Sequence, residues 1–291
     1  MNCFGKLAVL AAIAAASVCA GATPARAGAV TCDDQTIAGS YGFRLHELVV
    51  NPTPPGQVSA ANFIPGAFVG RIVFNSANGT VSGFRSGNEG SVPTSNNFNT
   101  KTQSSSYLVA SDCSGTLNLI LDDGSSRTFS LSIVNGGAEI EFALTAASMG
   151  VVSDGFAMRQ PASCDATTIA GNFGVRFNRL LANRPGVGVL RTFLPADSVG
   201  TLQLDATTNP PSLTGQLTGI TDGTSGFNSQ VTGTYSLSSN CTGSLILTDS
   251  EQLTKSFEII VVLNATEIEI EFANTSQPAD QIVGEGVAKP Q

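Results

Sequence analysis

The chain has 291 residues, with 14 Lys and Arg against 22 Asp and Glu, giving a formal charge of −8. Binding a phosphate backbone needs clustered Lys and Arg; this acidic chain has no basic run, so nucleic acid is excluded as a partner. Charge falls on only 12% of residues, which leaves the polar surface to Ser, Thr, Asn and Gly, as in exported β proteins rather than helical cytosolic ones.

The chain opens with the layout of a secretory signal. Lys6 supplies the positive start, Leu7 to Ala16 an unbroken apolar stretch, and Ala25-Arg26-Ala27 a small-x-small cleavage site. The apolar stretch is short for a bilayer, and nothing downstream matches a span of roughly 20 apolar residues. A lipid anchor at Cys19 would want a small residue where Val18 stands. The segment 1–27 is therefore predicted to be a signal peptide. The mature chain then starts near Gly28, is periplasmic or extracellular, and does not insert into a membrane. Losing Lys6 and Arg26 takes the charge to −10, from 12 basic and 22 acidic residues.

Cys3 and Cys19 leave with the signal; Cys32, Cys113, Cys164 and Cys241 remain. An even number in an oxidising compartment predicts two disulfides. No two lie at close CxxC spacing and His46 is the single histidine, so no metal site is expected.

The strongest signal is internal repetition. Cys32-Asp33-Asp34-Gln35-Thr36-Ile37-Ala38-Gly39-Ser40-Tyr41-Gly42-Phe43-Arg44 returns 132 residues later as Cys164-Asp165-Ala166-Thr167-Thr168-Ile169-Ala170-Gly171-Asn172-Phe173-Gly174-Val175-Arg176. Asp112-Cys113-Ser114-Gly115-Thr116-Leu117 matches Asn240-Cys241-Thr242-Gly243-Ser244-Leu245, and Glu139-Ile140-Glu141-Phe142 matches Glu269-Ile270-Glu271-Phe272. Gly155-Phe156-Ala157 and Gly286-Val287-Ala288 close the copies. The period exceeds that of solenoid repeats and each copy can bury its own core. The expected units are 28–160 and 161–291, joined at Gln160-Pro161-Ala162-Ser163. Of the three possible pairings, Cys32–Cys113 and Cys164–Cys241 keep each bridge within one copy.

Period-two alternation runs through both copies. Tyr41-Phe43-Leu45, Ile72 and Phe74, Tyr107 and Val109, Leu117-Leu119-Leu121, Phe129-Leu131-Ile133 and Ile140-Phe142-Leu144 each mark an apolar face. Asn78-Gly79, Asp122-Asp123-Gly124 and Asn135-Gly136 supply turns. Each copy reads as about eight strands. The expected fold is all-β, two tandem eight-stranded antiparallel up-and-down β-barrels, with β-sandwiches as the alternative.

Each unit resembles a calycin-type barrel, the architecture of lipocalins, and is similar in outline to allene oxide cyclase and dirigent barrels. Gly39-Ser40-Tyr41 and Gly171-Asn172-Phe173 stand where lipocalins begin their first strand with Gly-x-Trp. Arg159 stands where lipocalins place an arginine over that tryptophan. The chain departs in having no Trp, and in Lys289-Pro290 at the matching place of the second copy. The Gly-x-Tyr and Cys-x-Gly-Thr signatures also resemble a class of exported bacterial proteins that implies no particular activity.

Candidate chemistry is thin. His46, matched by Asn178, has no nucleophile motif beside it and reads as a surface histidine. Glu139 and Glu141, with Glu269 and Glu271, form same-face carboxylate pairs; with Ile140 and Phe142 in the core, these point to solvent. Arg44 and Arg176 are expected to pair with a carboxylate on a neighbouring strand. Asp122-Asp123 and Asp249-Ser250-Glu251 are turn residues, without the spacing of a calcium loop. A long connection after the first strand carries Phe63-Ile64-Pro65 and Phe193-Leu194-Pro195, read either as a loop packed against the outside of the barrel or as a lid over one barrel mouth with Phe63 and Phe193 partly inserted.

The leading functional expectation is a non-catalytic module binding a small hydrophobic molecule, without cofactor or catalytic residues. Its lining would be Tyr41, Phe43, Phe74, Tyr107, Phe129 and Phe142, with Phe173, Tyr235, Phe257 and Phe272 in the second copy. A structural or adhesive surface protein is the alternative, and a cyclase- or isomerase-like enzyme that holds its substrate's shape is a third. An outer-membrane barrel would need aromatic girdles that three Tyr and no Trp do not supply.

Overall fold

Alternation shapes the first strand, β1 (Gly39–Val50). Tyr41, Phe43, Leu45, Glu47 and Val49 are buried on one face, while Ser40, Gly42, Arg44, His46 and Leu48 occupy the other. Both edges of β1 are paired antiparallel, one with β2 (Phe63–Asn75) and one with β9 (Val151–Arg159). A strand bonded on both edges between the second and last strands closes a ring, which leaves no free edge.

The computed structural model describes residues 31–50, 63–89, 92–98, 104–147, 150–182, 193–221, 225–275 and 281–291. The expected signal peptide lies outside them. The first ring continues through β3 (Thr80–Glu89), β4 (Val92–Phe98), β5 (Ser105–Val109), β6 (Ser114–Ile120), β7 (Ser126–Val134) and β8 (Glu139–Ala147). Strands β4 and β5 are two halves of one interrupted strand. β4 pairs with the far part of β3, and β5 with Thr80 and Val81 at its start. The second barrel has no such break. Its strands β10 (Gly171–Ala182), β11 (Phe193–Asp205), β12 (Ser212–Thr221), β13 (Ser225–Leu237), β14 (Thr242–Asp249), β15 (Thr254–Val262), β16 (Glu267–Thr275) and β17 (Gln281–Pro290) close in that order. Each copy is thus a closed eight-stranded antiparallel barrel, not a sandwich.

Each barrel has one pinned end. Cys32–Cys113 and Cys164–Cys241 tie the segment before the first strand to the turn before the sixth strand and its counterpart. Both Cys113 and Cys241 hold left-handed backbone, at φ 66° and 64°, a conformation costly for a non-glycine residue. At the pinned end of the first barrel, Arg159 lies over the Tyr41 ring at 4.9 Å and donates to the Tyr41 hydroxyl. It also donates to the carbonyls of Ala38, Thr36 and Gly137.

The register corrects one sequence match. Ile140 pairs with Ala157 and Ile268 with Ala288, so Glu139 and Glu141 correspond to Glu267 and Glu269, not to Glu269 and Glu271. Glu267-Ile268-Glu269-Ile270-Glu271-Phe272 repeats every two residues, and a two-residue slip preserves the pattern.

The barrels meet along a seam. The outer face of β1–β3 packs on the outer face of β15–β17. Its dry part is Val69 with Ile260 and Val262, flanked by Met158 and Leu263. Gly42 makes this approach possible, because a Cβ there would overlap the side chains of Ile260 and Val262. At the counterpart, Gly174, a Cβ would meet nothing nearer than the end of the Gln291 side chain, at 3.3 Å.

Gly42→Val is therefore expected to destabilise the protein by about 1–3 kcal/mol, as overpacking does, and Gly174→Val much less. Equal effects in urea unfolding would show that the seam is not held this tightly. Replacing Cys32 and Cys113 together by Ser opens a loop with separation 81. On the loop-entropy model the loss is roughly 4.5 kcal/mol, measured from the same curves against the disulfide-intact protein.

Candidate functional site

Inside each barrel, the ten aromatic residues expected to line it are all buried. They pack on one another. In the first barrel Tyr41 meets Phe74 edge-on at 5.5 Å and Phe74 meets Tyr107 at 4.9 Å. Phe129 lies 6.0 Å from Phe142, and Phe43 5.9 Å from Phe98. In the second, Phe177, Phe257 and Phe272 form a chain at 5.3 and 5.5 Å. Tyr235 anchors the pinned end by donating to the Ala166 carbonyl.

The end away from each disulfide is polar. In the first barrel Glu47, Arg85 and Arg127 all sit in phase with the inward residues of their strands and are almost fully buried. Arg85 donates from Nη1 to Glu47 Oε1 at 2.8 Å and from Nε to Asn96 Oδ1 at 3.1 Å. Its guanidinium lies 4.2 Å over the Phe68 ring. Arg127 Nε stands 3.7 Å from the same Glu47 oxygen. Glu47 Oε2 and Arg127 Nε have no hydrogen-bond partner among the described residues, an arrangement that costs about 1–3 kcal/mol per buried group. Burial pulls the Arg127 guanidinium down, opposed by the Glu47 charge. Glu89 at the rim is raised, by burial first and then by Glu47.

The position of Glu47 in the second barrel is Arg179, whose guanidinium lies 5.7 Å from the Phe227 ring and 3.5 Å from Ser198 Oγ. No carboxylate lies within 4 Å of it among the described residues. Burial lowers its pKa, opposed by Asp197. Glu47 and Arg179 thus place side chains of opposite charge at equivalent positions, with Arg85 and Arg127 beside Glu47 in the first mouth. Glu47 and Arg179 were visible in the sequence as polar residues in phase with Tyr41-Phe43-Leu45 and Phe173-Val175-Phe177; the signal was the break in an otherwise apolar face.

The Phe-x-Pro stretches belong to the wall. Phe63 pairs with Val50 and Phe193 with Ala182, so each begins a strand. The connections proper, 51–62 and 183–192, lie outside the described residues, as do the side chains of Phe63 and Phe193.

The seam overturns the expected exposure of the second carboxylate pair. Glu269 and Glu271 do point away from their own core, but the first barrel covers them, leaving 1% and 0% exposed. In the first copy Glu141 is exposed. Arg44 pairs across the seam rather than with a neighbouring strand, 3.2 Å from Glu269 and 3.4 Å from Glu285. Arg176, its counterpart, is exposed. His46 is no lone surface residue: its Nε2 is hydrogen-bonded to Glu285 Oε2, with Asp154 4.0 Å from Nδ1. Asn88 donates to the Phe272 carbonyl beside them.

Neither oxygen of Glu269 or Glu271 has a hydrogen-bond partner among the described residues. Burial pushes Glu269 up to about 8, against Arg44 and with help from Glu267. Burial and then Glu285 hold Glu271 well above the usual carboxylate range. Burial would raise Glu285 too, but the His46 hydrogen bond and Arg44 outweigh it and leave it lowered. His46 is raised, by the hydrogen bond to Glu285 first.

Remaining candidates are structural. Asp122 accepts from the Asn97 amide and the Asn96 side chain, and Asp249 accepts from Lys255 at 3.1 Å. Among the described residues no group of three or more His, Cys, Asp or Glu could hold a metal ion, and no helix is long and apolar enough to cross a membrane.

No protein-family model matches the chain, and no curated protein sequence matches it. Among solved structures it is similar to a point mutant of the vaccine antigen transferrin binding protein B from Haemophilus parasuis. That match has 8% identity and a TM-score of 0.32, over 87% of this chain and 76% of that one. It is also similar to a protein of unknown function from the DUF3598 family of Nostoc punctiforme, at 10% identity and TM-score 0.21, over 87% and 95%. Likenesses this distant carry no argument about activity.

The seam sets a pH dependence. Burial raises Glu269 and Glu271 above their unfolded values, so their contribution to stability falls as pH rises above about 4.5, for Glu269 up to about 8. His46 has the same sign: its contribution is complete below about 6.5 and is lost as pH rises through its raised folded value. Glu285 contributes fully above about 4.5 and weakens only in acid. Stability is therefore expected to fall between pH 5.5 and 8.5. Glu271→Gln should flatten the profile and gain about 1–3 kcal/mol at pH 8. Denaturation curves across that range check this; a flat wild-type profile would refute it.

Proposed function

We propose that the chain is an exported, non-catalytic binding protein whose barrels take up small apolar molecules. It would consist of a signal segment, 1–27, and two barrel units, 28–160 and 161–291. Export agrees with two disulfides, which persist in oxidising compartments. The observation that carries the reading is the buried Glu47–Arg85–Arg127 cluster facing the interior at the mouth of the first barrel. Its orphaned Glu47 Oε2 and Arg127 Nε are groups that a ligand's polar end would satisfy. The apolar body would lie among Tyr41, Phe43, Phe74, Tyr107, Phe129 and Phe142, and among Phe173, Tyr235, Phe257 and Phe272 in the second barrel. Arg179 would give the second barrel a preference for a ligand with an anionic end, and Phe63 and Phe193 stand at the mouths where a lid would be rooted. The Arg159–Tyr41 stack supports a calycin-like origin for the first unit.

A second reading, a structural or adhesive surface protein, is favoured by the aromatic rings packing on one another rather than around a space. Native mass spectrometry of protein purified from its own host separates the two. The binding reading expects an adduct that is lost on denaturation, and weakened re-uptake after Glu47→Gln. A bare mass, together with no binding of apolar fluorescent probes, would leave the structural reading.

A further inference from the structure

The seam holds a second feature, separate from both barrel interiors. Between the pinned end of the first barrel and the second lies a polar cavity of about 210 Å³, lined by Ser40, Arg71, Arg159, Gln160, Pro161, Ala162 and Asn240. It draws on β1, β2 and β9 of one barrel, the join between them, and the turn beside Cys241 of the other.

Two arginines line this cavity, and neither has a carboxylate within 4 Å of its guanidinium among the described residues. Arg71 donates from Nη2 to Ser40 Oγ at 2.8 Å and from Nε to Gln160 Oε1 at 3.2 Å. Both acceptors are neutral, and three of its five N–H donors are left over. Arg159 is held by carbonyls and the Tyr41 hydroxyl, also neutral. In a chain with 22 acidic residues against 14 basic ones, two adjacent arginines without a counter-charge form a local positive field in an otherwise negative molecule.

The other copy shows that a barrel does not need them. The partner of Gly42 in β2 is Arg71, and the partner of Gly174 in β11 is Thr201. Tyr41 pairs with Arg159, and Phe173 with Pro290. The second barrel closes with both arginines replaced by uncharged residues. Gln160, itself 7% exposed, fixes the floor of the cavity by donating to the carbonyls of Asn240 and Cys241 while orienting Arg71.

We propose that this cavity binds a small oxyanion, a phosphate, sulfate or carboxylate group, with Arg71 as its principal ligand and Asn240 contributing from the second barrel. Guanidinium is suited to such groups because its planar fork matches two oxygens at once. The anion would touch both barrels, so occupancy would strengthen the seam.

The test uses the mature full-length protein and calorimetry with inorganic phosphate, sulfate or acetate, against chloride at equal ionic strength. The expected result is saturable heat for at least one oxyanion and none for chloride, with a rise in the unfolding midpoint. Which of the three binds distinguishes a tetrahedral from a planar group. Arg71→Gln should weaken binding at least tenfold. Arg71→Lys and Asn240→Ala provide milder variants should the first not fold. Arg176→Gln, on the exposed counterpart of Arg44, should leave binding unchanged. Indistinguishable responses to oxyanions and chloride, or unchanged affinity in folded Arg71 and Asn240 variants, would overturn the proposal.

Discussion

The first strand of each copy is hydrogen-bonded on both edges, and almost everything else follows from that. Once β1 lies between β2 and β9, and β10 between β11 and β17, every side chain points either into a closed interior or away from it. Residues two apart then share a fate. The aromatic clusters, the inward placement of Glu47 and Arg179, and the outward row of Ser40, Gly42, Arg44 and His46 are consequences of one ring closure and its register.

That same rule explains how far the sequence could be read. The inward rows at Tyr41-Phe43-Leu45 and Phe129-Leu131-Ile133 were legible, because alternation reports burial within one barrel directly. The disulfides were legible because duplication placed a pair in each copy. Alternation does not report what covers the outside. Glu269 and Glu271 sit on an outer face as expected, yet they are buried because another barrel leans on them, and no local pattern encodes that contact. The Glu-Ile-Glu motif was matched two residues out of place for a related reason: a strict two-residue repeat looks the same after a slip, and only pairing with Ala157 and Ala288 fixes it.

The seam mixes a small dry patch with costly polar burial. Val69, Ile260 and Val262 supply modest apolar contact, while the buried carboxyls of Glu269 and Glu271, raised by burial, lie near Arg44 and Glu285. An interface so composed depends on shape at Gly42 and is sensitive to pH through its buried carboxyls.

The seam also joins unlike surfaces: the β1–β3 side of one barrel meets the β15–β17 side of the next. Such a head-to-tail contact has no intrinsic stopping point and would admit a third and fourth unit, or growth between molecules. The outer faces at the two ends differ from those that meet at the seam. Where the second barrel presents Ile260, the first presents exposed Ser132, and where the first buries Ala67, the second carries exposed Asp197. Gly174 and Val199, the latter 57% exposed, keep the shape of a docking face that has no apolar counterpart left to receive it. Divergence of the two copies has thus left their remaining outer faces unlike the pair that meets at the seam.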